Sequence, residues 1–208
     1  MERVFAWGTA SGADPAPSIL PGGFEPRSWT HRTVFTAEEC DAIVALRQRR
    51  AAADGGLVNG VATDAVRRSS IIWLADDDPE VAWISARLTR AVADINRDAF
   101  GFTLSGFDEQ IQLTEYTAGN LGFYDWHSDV GGRGIPRSRK LTLTVQLTDP
   151  ADYEGGALEL NFNGTPVEAP RERGTGISFP SYTLHRVAPV TAGVRHSLVV
   201  WTHGPHFV

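Results

Sequence analysis

The chain has 208 residues, of which 42% are hydrophobic and 21% charged, and its formal net charge is -6. This composition is typical of a globular domain with a sizeable core, and no stretch approaches the roughly 20 consecutive apolar residues of a membrane span. The acidic balance disfavours nucleic acid as a partner, because phosphate binding relies on clustered Lys and Arg. Cys40 is the single cysteine, so the chain cannot form an internal disulfide and we expect a cytoplasmic protein.

Two helices are predicted in the first half of the chain, after a Pro-, Gly- and Ser-containing stretch (1–29) that we interpret as a tail or strap. Residues 30–208 then form one domain. The first helix lies within "FTAEECDAIVALRQRRAA" and begins with a capping box, Thr36 to Glu39. The second lies within "DDDPEVAWISARLTRAVADINRDAF" and starts at Asp78 and Pro79. Its buried stripe at helical spacing consists of Val81, Ile84, Leu88, Val92 and Ile95.

Period-two alternation replaces the helical pattern after about residue 105. The alternating segments are "DEQIQLTEY", "KLTLTVQLT", "GALELNFNG", "GTGISFP" and "VRHSLVVWTH", with Gly, Pro or Asp between them. Short strands at such intervals are typical of an all-β sandwich or barrel. An earlier segment, "VRRSSIIWL" (66–74), is predicted to be one strand at the rim of this barrel. The fold class is therefore α+β and mainly β, with helices ahead of a β-rich core.

The segment "GFYDWHSDVGGRG" contains a histidine and an aspartate two positions apart, His127 and Asp129. On a strand, residues i and i+2 point to the same face, so an imidazole and a carboxylate would lie side by side. A third ligand is needed for a metal, and two histidines with one carboxylate are the set used for non-haem Fe(II). Taken alone, the pair could equally be exposed turn residues or hydrogen-bonding groups.

His185 is the candidate third ligand. If residues 191–193 form a three-residue hairpin loop, His185 lies opposite Val199, and Arg195 and Ser197 share its face. A buried arginine requires an anion, because its charge is too costly to leave unpaired. That anion could be one of the chain's own carboxylates or a bound ligand.

Three segments together resemble the 2-oxoglutarate and Fe(II)-dependent dioxygenases, near the prolyl-4-hydroxylase-like branch. They are "YTAGNLGFYDWHSD", "RKLTLTVQLTDPADYEGGALEL" and "HRVAPVTAGVRHSLVVW", and the resemblance covers about residues 105–203. It implies a double-stranded β-helix (jelly roll) as the catalytic barrel. It also implies that His127, Asp129 and His185 are the catalytic iron ligands, and that Arg195 binds the distal carboxylate of 2-oxoglutarate.

Further cosubstrate-binding positions follow from the family pattern and from strand parity. The pattern includes counterparts of Ser197 and Tyr124, and of Tyr116, which lies eleven residues before His127 here. Strand parity adds Gln112, Thr142 and Gln146, although a polar stripe on a strand can also face solvent. Relatives often carry tyrosine where this chain has Gln146, a residue that can still donate a hydrogen bond to a carboxylate.

The implied reaction is O2-dependent hydroxylation of an unactivated C–H bond, with release of succinate and CO2, on an amino-acid-like, peptidyl or small natural-product substrate. Candidate substrate contacts are Arg67, Trp73 and Arg133, the last in a Gly-rich loop (130–139) that could act as a lid. The alternatives are a metal cupin enzyme that does not use 2-oxoglutarate, and a non-catalytic jelly-roll binding module. The substrate and the oligomeric state are not readable from the sequence.

Overall fold

The computed structural model describes residues 27–49, 53–54, 57–58, 61–62, 65–75 and 77–207. Most of the predicted tail, residues 1–26, lies outside these ranges. The elements in chain order are β1 (Thr30–Thr33), α1 (Ala37–Arg49), β2 (Ala53–Asp54), β3 (Leu57–Val58), β4 (Val61–Ala62), β5 (Arg67–Arg68), β6 (Ser70–Leu74), α2 (Ala82–Ile95), β7 (Ile111–Thr117), β8 (Phe123–His127), β9 (Arg139–Gln146), β10 (Tyr153–Gly155), β11 (Leu158–Asn161), β12 (Pro166–Glu168), β13 (Thr175–Pro180), β14 (Leu184–Val187) and β15 (Val190–His203). No helix in the described ranges has the length and apolar character that crossing a membrane requires.

The two predicted helices form where local sequence signals place them. At the start of α1, the Thr36 N–H donates to Glu39 Oε2 (2.9 Å), and the Glu39 N–H donates to Thr36 Oγ1 (3.2 Å), which is the reciprocal capping box. The predicted stripe of α2 is buried along its whole length. Regular α-helix begins at Ala82, a few residues later than predicted, because the Asp78 carbonyl first closes a turn with the Val81 and Ala82 N–H groups.

Two antiparallel sheets make up the β core, as the jelly-roll prediction requires. The major sheet has the order β1-β13-β9-β15-β7-β6-β2, with β10 also paired to β15. The minor sheet has the order β12-β11-β14-β8-β5. Strands β3 and β4 pair only with each other. The chain crosses repeatedly between the sheets, with β7, β9, β13 and β15 in the major sheet and β8, β11 and β14 in the minor sheet. The structure confirms a mainly β jelly roll with supporting helices.

Each face of the major sheet carries a separate apolar cluster. On one face, Leu141, Leu143 and Val145 of β9 join the buried residues of α1 and α2. Between the sheets, Tyr116 and Phe179 of the major sheet pack with Leu160 of the minor sheet. The helices therefore seal the outer face of the major sheet, and the space between the sheets is left for a site.

The predicted hairpin around residues 191–193 is wrong. Strand β14 pairs with β11 and β8 in the minor sheet, whereas β15 pairs with β7, β9 and β10 in the major sheet. The chain changes sheets at Ala188 and Pro189, whose backbone groups bond to Ala157 and Gly156. His185 consequently lies opposite His127 and Leu160 rather than Val199.

The segment 66–74, predicted as one strand, is divided between the sheets. Residues of β5 pair with β8, and residues of β6 pair with β7. Ser69 lies at the break, where its Oγ accepts a hydrogen bond from Arg67 Nε at 2.7 Å. The break leaves the Arg67 side chain between the two sheets instead of at an outer rim, and only 5% of the residue is exposed.

Candidate active site

Three side chains with metal-binding atoms converge between the sheets. His127 ends β8 and His185 lies directly opposite it on β14. Asp129 follows the end of β8, where its backbone N–H donates to the Ser181 carbonyl (2.9 Å) and turns the carboxylate inward. One ligand atom from each of the three residues can be chosen so that all lie within 4.8 Å of one another. The structure therefore brings the three predicted ligands together.

Hydrogen bonds orient the two imidazoles toward the carboxylate. His127 Nδ1 lies 2.7 Å from the Asp125 carbonyl oxygen, and His185 Nδ1 lies 2.9 Å from that of Thr183. A carbonyl can only accept, so each Nδ1 carries the proton and each Nε2 keeps a free lone pair. These Nε2 atoms lie 3.7 Å and 3.5 Å from the Asp129 carboxylate oxygens. The donor set fits a divalent cation such as Fe(II).

The charge states of the cluster also suit a metal. Burial, reinforced by His185, lowers the pKa of His127 to about 3, so its imidazole is neutral near pH 7. Burial opposes ionisation of Asp129, but the two imidazoles and Arg139 outweigh it, and the pKa of Asp129 is lowered. Thr142 Oγ1 donates to Asp129 Oδ2 at 2.8 Å and so fixes the carboxylate. Neutral imidazoles and an ionised carboxylate are the forms that bind metal.

Arg195 is the largest fully buried side chain in the described ranges. Its Nη2 donates to Gln146 Oε1 (2.8 Å), but its Nε and Nη1 have no partner. No acidic side chain of the described residues lies within ion-pair distance of it, which disfavours the structural ion pair that the sequence left open. Arg195 lies directly behind the cavity wall, next to Tyr116 and Ser197, which line it. The orphaned nitrogens fit the carboxylate of a bound dianion.

A cavity of about 820 Å³ opens between the sheets beside the three ligands. Of the predicted cosubstrate-binding residues, those that line it are Gln112, Tyr116, Tyr124 and Ser197. Thr142 and Gln146 are buried behind the wall, where they hold Asp129 and Arg195. The polar stripe of β9 is thus interior, and the solvent-facing alternative is wrong for it.

The predicted substrate contacts Arg67, Trp73 and Arg133 all line the same cavity. Arg67 is buried, whereas 43% of Trp73 is exposed and Arg133 lies in the exposed loop. Other loop residues on the cavity wall include Val130, Gly131, Gly132 and Pro136. The loop therefore borders the cavity, as a lid would.

The sequence did not predict the ion pair of Glu109 and Arg139 at the cavity wall. Arg139 donates to both Glu109 carboxylate oxygens (2.6 Å and 2.5 Å) and to the Asp129 carbonyl oxygen at 3.2 Å. Its guanidinium also lies over the Trp201 ring, 3.8 Å from the centroid. The partners are thirty residues apart, and no sequence spacing signals such a pair. Through the hydrogen bond from Arg139, the pair supports the segment that carries Asp129.

Sequence comparison supports the resemblance. Residues 111–203 match the 2OG-Fe(II) oxygenase superfamily. A "PKHD-type hydroxylase" of Sphingopyxis alaskensis is 40% identical over 86 residues, which are 40% of this chain and 38% of that protein. Another, from Pseudomonas aeruginosa, is 28% identical over 177 residues, covering 81% of this chain and 75% of that protein. The matches with the higher identities span less than half the length of the relatives concerned.

Solved structures support the fold. A prolyl hydroxylase from Trichoplax adhaerens has a TM-score of 0.70 at 19% identity, covering 85% of this chain and 83% of that chain. A prolyl-4-hydroxylase from Pseudomonas putida has a TM-score of 0.68 at 22% identity, covering 85% and 93%. At these identities the likeness concerns the fold, and the residues of the site carry any further argument.

Proposed function

We propose that the chain belongs to the 2OG-Fe(II) oxygenase superfamily, whose model matches residues 111–203, and that it is an Fe(II)- and 2-oxoglutarate-dependent hydroxylase of prolyl-4-hydroxylase-like type. Its activity resides in one domain, residues 30–208, with the catalytic barrel at about 105–203. The observation that carries this proposal is the pairing of a metal-binding cluster with an unpaired buried guanidinium. A metal site alone would suit the cupin alternative, whereas Arg195 calls for a carboxylate ligand.

His127, Asp129 and His185 would hold Fe(II) at the cavity wall that all three of them line. Bound Fe(II) and 2-oxoglutarate would supply the chemistry by which O2 oxidises a C–H bond to an alcohol while 2-oxoglutarate becomes succinate and CO2. Arg195 binds the distal carboxylate of 2-oxoglutarate and orients the molecule, with Ser197 as a second donor. Gln146 holds Arg195 in place through the 2.8 Å hydrogen bond.

Surrounding residues keep the site rigid and its ligands correctly protonated. The Tyr124 ring stacks on His127, with centroids 3.5 Å apart, and closes one side of the imidazole to water. Backbone carbonyls keep both Nδ1 protons in place, and Thr142 and Arg139 hold the Asp129 segment. Such supporting contacts set ligand basicity and geometry, and they usually matter nearly as much as the ligands.

The substrate is an amino-acid-like, peptidyl or small natural-product molecule that enters the cavity beside Arg67 and Trp73. A cytoplasmic location is part of the proposal. Cys40, the single cysteine, is fully buried in α1, and burial raises its pKa to about 11, so it is inert as a thiol. No disulfide within the chain is then needed for its stability.

The direct test is anaerobic spectroscopy. We expect a visible metal-to-ligand charge-transfer band when the protein receives equimolar Fe(II) and 2-oxoglutarate without oxygen. The band should be absent from His127→Ala and unchanged in His31→Ala, a matched control at an exposed histidine outside the cavity. On admission of oxygen, the wild type should release succinate and His127→Ala should not.

Other outcomes separate the alternatives. Binding of Fe(II) without any binding of 2-oxoglutarate would favour a cupin enzyme of another class. Binding of neither would leave a non-catalytic jelly-roll module and would refute the proposal.

A further inference from the structure

Arg67 is a second buried arginine that has no carboxylate partner among the described residues. It is 5% exposed, and its Nε donates to Ser69 Oγ (2.7 Å). Its Nη2 is buried without any hydrogen-bond partner, and no carboxylate of the described residues forms an ion pair with it. The residue lines the cavity. The outer edge of this guanidinium, formed by its two terminal nitrogens, is therefore free to bind a ligand inside the cavity.

Arg67 lies close to the reacting centre. Its Cζ is 4.5 Å from the centroid of the Tyr124 ring, and that ring is stacked on His127 with centroids 3.5 Å apart. One aromatic ring thus separates the guanidinium from a metal ligand. A group bound to Arg67 would hold the rest of a small molecule within reach of the metal.

The charges of the cavity leave Arg67 uncompensated even in the loaded enzyme. This step rests on the proposed function. Fe(II) and Asp129 together carry one positive charge, Arg195 carries another, and the two negative charges of 2-oxoglutarate balance both. Arg139 is neutralised by Glu109. Arg67 remains with one positive charge that no carboxylate of the described residues balances, and a buried charge of this kind is costly unless a ligand pairs with it.

We propose that Arg67 is the substrate's recognition site and that the substrate bears a carboxylate, which Arg67 binds end-on through its terminal nitrogens. A carboxylate carries the single charge that is missing, whereas a phosphate dianion would leave a negative charge over. Part of the remaining cavity wall is apolar, with Trp73 and Trp201 6.4 Å apart and Ile71 and Val199 on the wall. The substrate therefore combines one carboxylate with an apolar body.

Two sources of that carboxylate are distinguishable, a small amino-acid derivative and the C-terminus of a peptide. The probes are N-acetyl-L-proline, N-acetyl-L-leucine, N-acetyl-L-isoleucine and N-acetyl-L-phenylalanine, and tripeptides ending in the same residues. Each probe is used as the free acid and as the carboxamide, which has nearly the same shape without the charge. Binding is measured by titration calorimetry on protein loaded with Fe(II) and 2-oxoglutarate without oxygen, so that no turnover is needed.

We expect at least one acid to bind the wild type about 10- to 100-fold more tightly than its amide, the range of a charge-assisted hydrogen bond. Arg67→Gln should abolish this preference, and Arg67→Lys should retain part of it, since the charge stays but the fork is lost. Arg68→Gln is the matched control. It removes the same charge one residue away, where the guanidinium bonds to the Asn120 carbonyl and lies over Phe123 outside the cavity.

The charge-transfer band separates failure of this inference from failure of the proposed function. If the band forms but acids and amides bind equally, or no acid binds, or Arg67→Gln keeps the preference, the carboxylate site is refuted while the hydroxylase assignment stands. If the wild type forms no band, both fail. Should Arg67→Gln itself form no band, the comparison is made with Arg67→Lys, for which an undiminished preference would refute the proposal.

Discussion

Replacing Arg195 by methionine should affect stability and cosubstrate binding very differently. In a structural ion pair, removing one partner of a buried pair costs about 3–5 kcal/mol. Arg195 instead has two unpartnered nitrogens, and its one hydrogen bond is to the neutral side chain of Gln146. Removing an uncompensated charge is favourable, and leaving the Gln146 oxygen unpaired costs about 1–3 kcal/mol. The two effects oppose each other. We therefore expect the free energy of unfolding of the ligand-free variant to lie within about 1 kcal/mol of the wild-type value.

Binding of 2-oxoglutarate should fall sharply in the same variant. Removing one partner of a buried, hydrogen-bonded charge pair costs about 2–5 kcal/mol of binding energy, which is at least about 30-fold in Kd. At a ligand concentration of 100 times Kd, the wild type gains about 2.7 kcal/mol of stability from the ligand. The Arg195→Met protein, at that same concentration, should gain much less than half of this.

The assay is urea unfolding of both proteins in the presence of Fe(II) without oxygen, with and without 2-oxoglutarate, together with direct titration of the ligand. Arg171→Met is a suitable control, because Arg171 is only partly buried and bonds to the Gly155 carbonyl away from the cavity. Breaking a buried ion pair costs about 3–5 kcal/mol. If the ligand-free variant loses about 3 kcal/mol or more of stability and keeps the wild-type Kd for 2-oxoglutarate, Arg195 has an internal structural role and the reasoning is refuted.

Three further predictions follow from the contacts of the site and its supports. Thr142→Val removes the hydrogen bond that orients the Asp129 carboxylate and should weaken Fe(II) binding about 10- to 100-fold in a metal titration, with little change in fold by circular dichroism. Gly155→Ala places a Cβ 2.1 Å from a backbone carbonyl oxygen at a φ of +71°, so it should lower the free energy of unfolding by more than Gly156→Ala, whose new Cβ meets only side chains. Glu115→Gln should lower the free energy of unfolding at pH 7 by about 1–3 kcal/mol, because it breaks the hydrogen bonds from Arg47 that lower the Glu115 pKa against the opposing effect of burial. A depressed carboxyl pKa stabilises the fold above the unfolded value of about 4.3, so the gap to the wild type should close as pH falls below that value in pH-dependent unfolding.

Local signals in the sequence predicted the elements, and long-range pairing was where prediction failed. The capping box of Thr36 and Glu39 and the stripe of α2 depend on residues three or four positions apart, and both are in the structure. The hairpin at 191–193 was wrong because strand partners are chosen across the whole barrel. A glycine in a three-residue segment is compatible with a turn, and equally with a strand that passes close to neighbouring backbone. Gly193 belongs to such a strand, because a Cβ at this position would meet the Asp152 carbonyl oxygen.

The placement of His185 survived that error for a physical reason. Whether a side chain points inward depends on the pleat of its own strand, and this is independent of which strand lies next to it. His185 on β14 and Arg195 on β15 both face the space between the sheets, one from each side of it. By contrast, the Glu109–Arg139 pair depends on how a loop and a strand meet in space, and neither residue type nor spacing predicts it.

The buried charges of this cavity indicate which ligands it binds more directly than the fold does. Asp129 is a buried carboxylate with a lowered pKa beside the neutral imidazole of His127, and Arg195 and Arg67 are cations without acidic partners among the described residues. Each is costly alone, and each is relieved by a ligand of the opposite sign. On the proposed function, Fe(II) would bind before 2-oxoglutarate, because without the metal a carboxylate of 2-oxoglutarate would meet that of Asp129. With Fe(II) and 2-oxoglutarate bound, Asp129 and Arg195 would each have a partner of opposite charge, and Arg67 would be a buried cation that a further ligand neutralises.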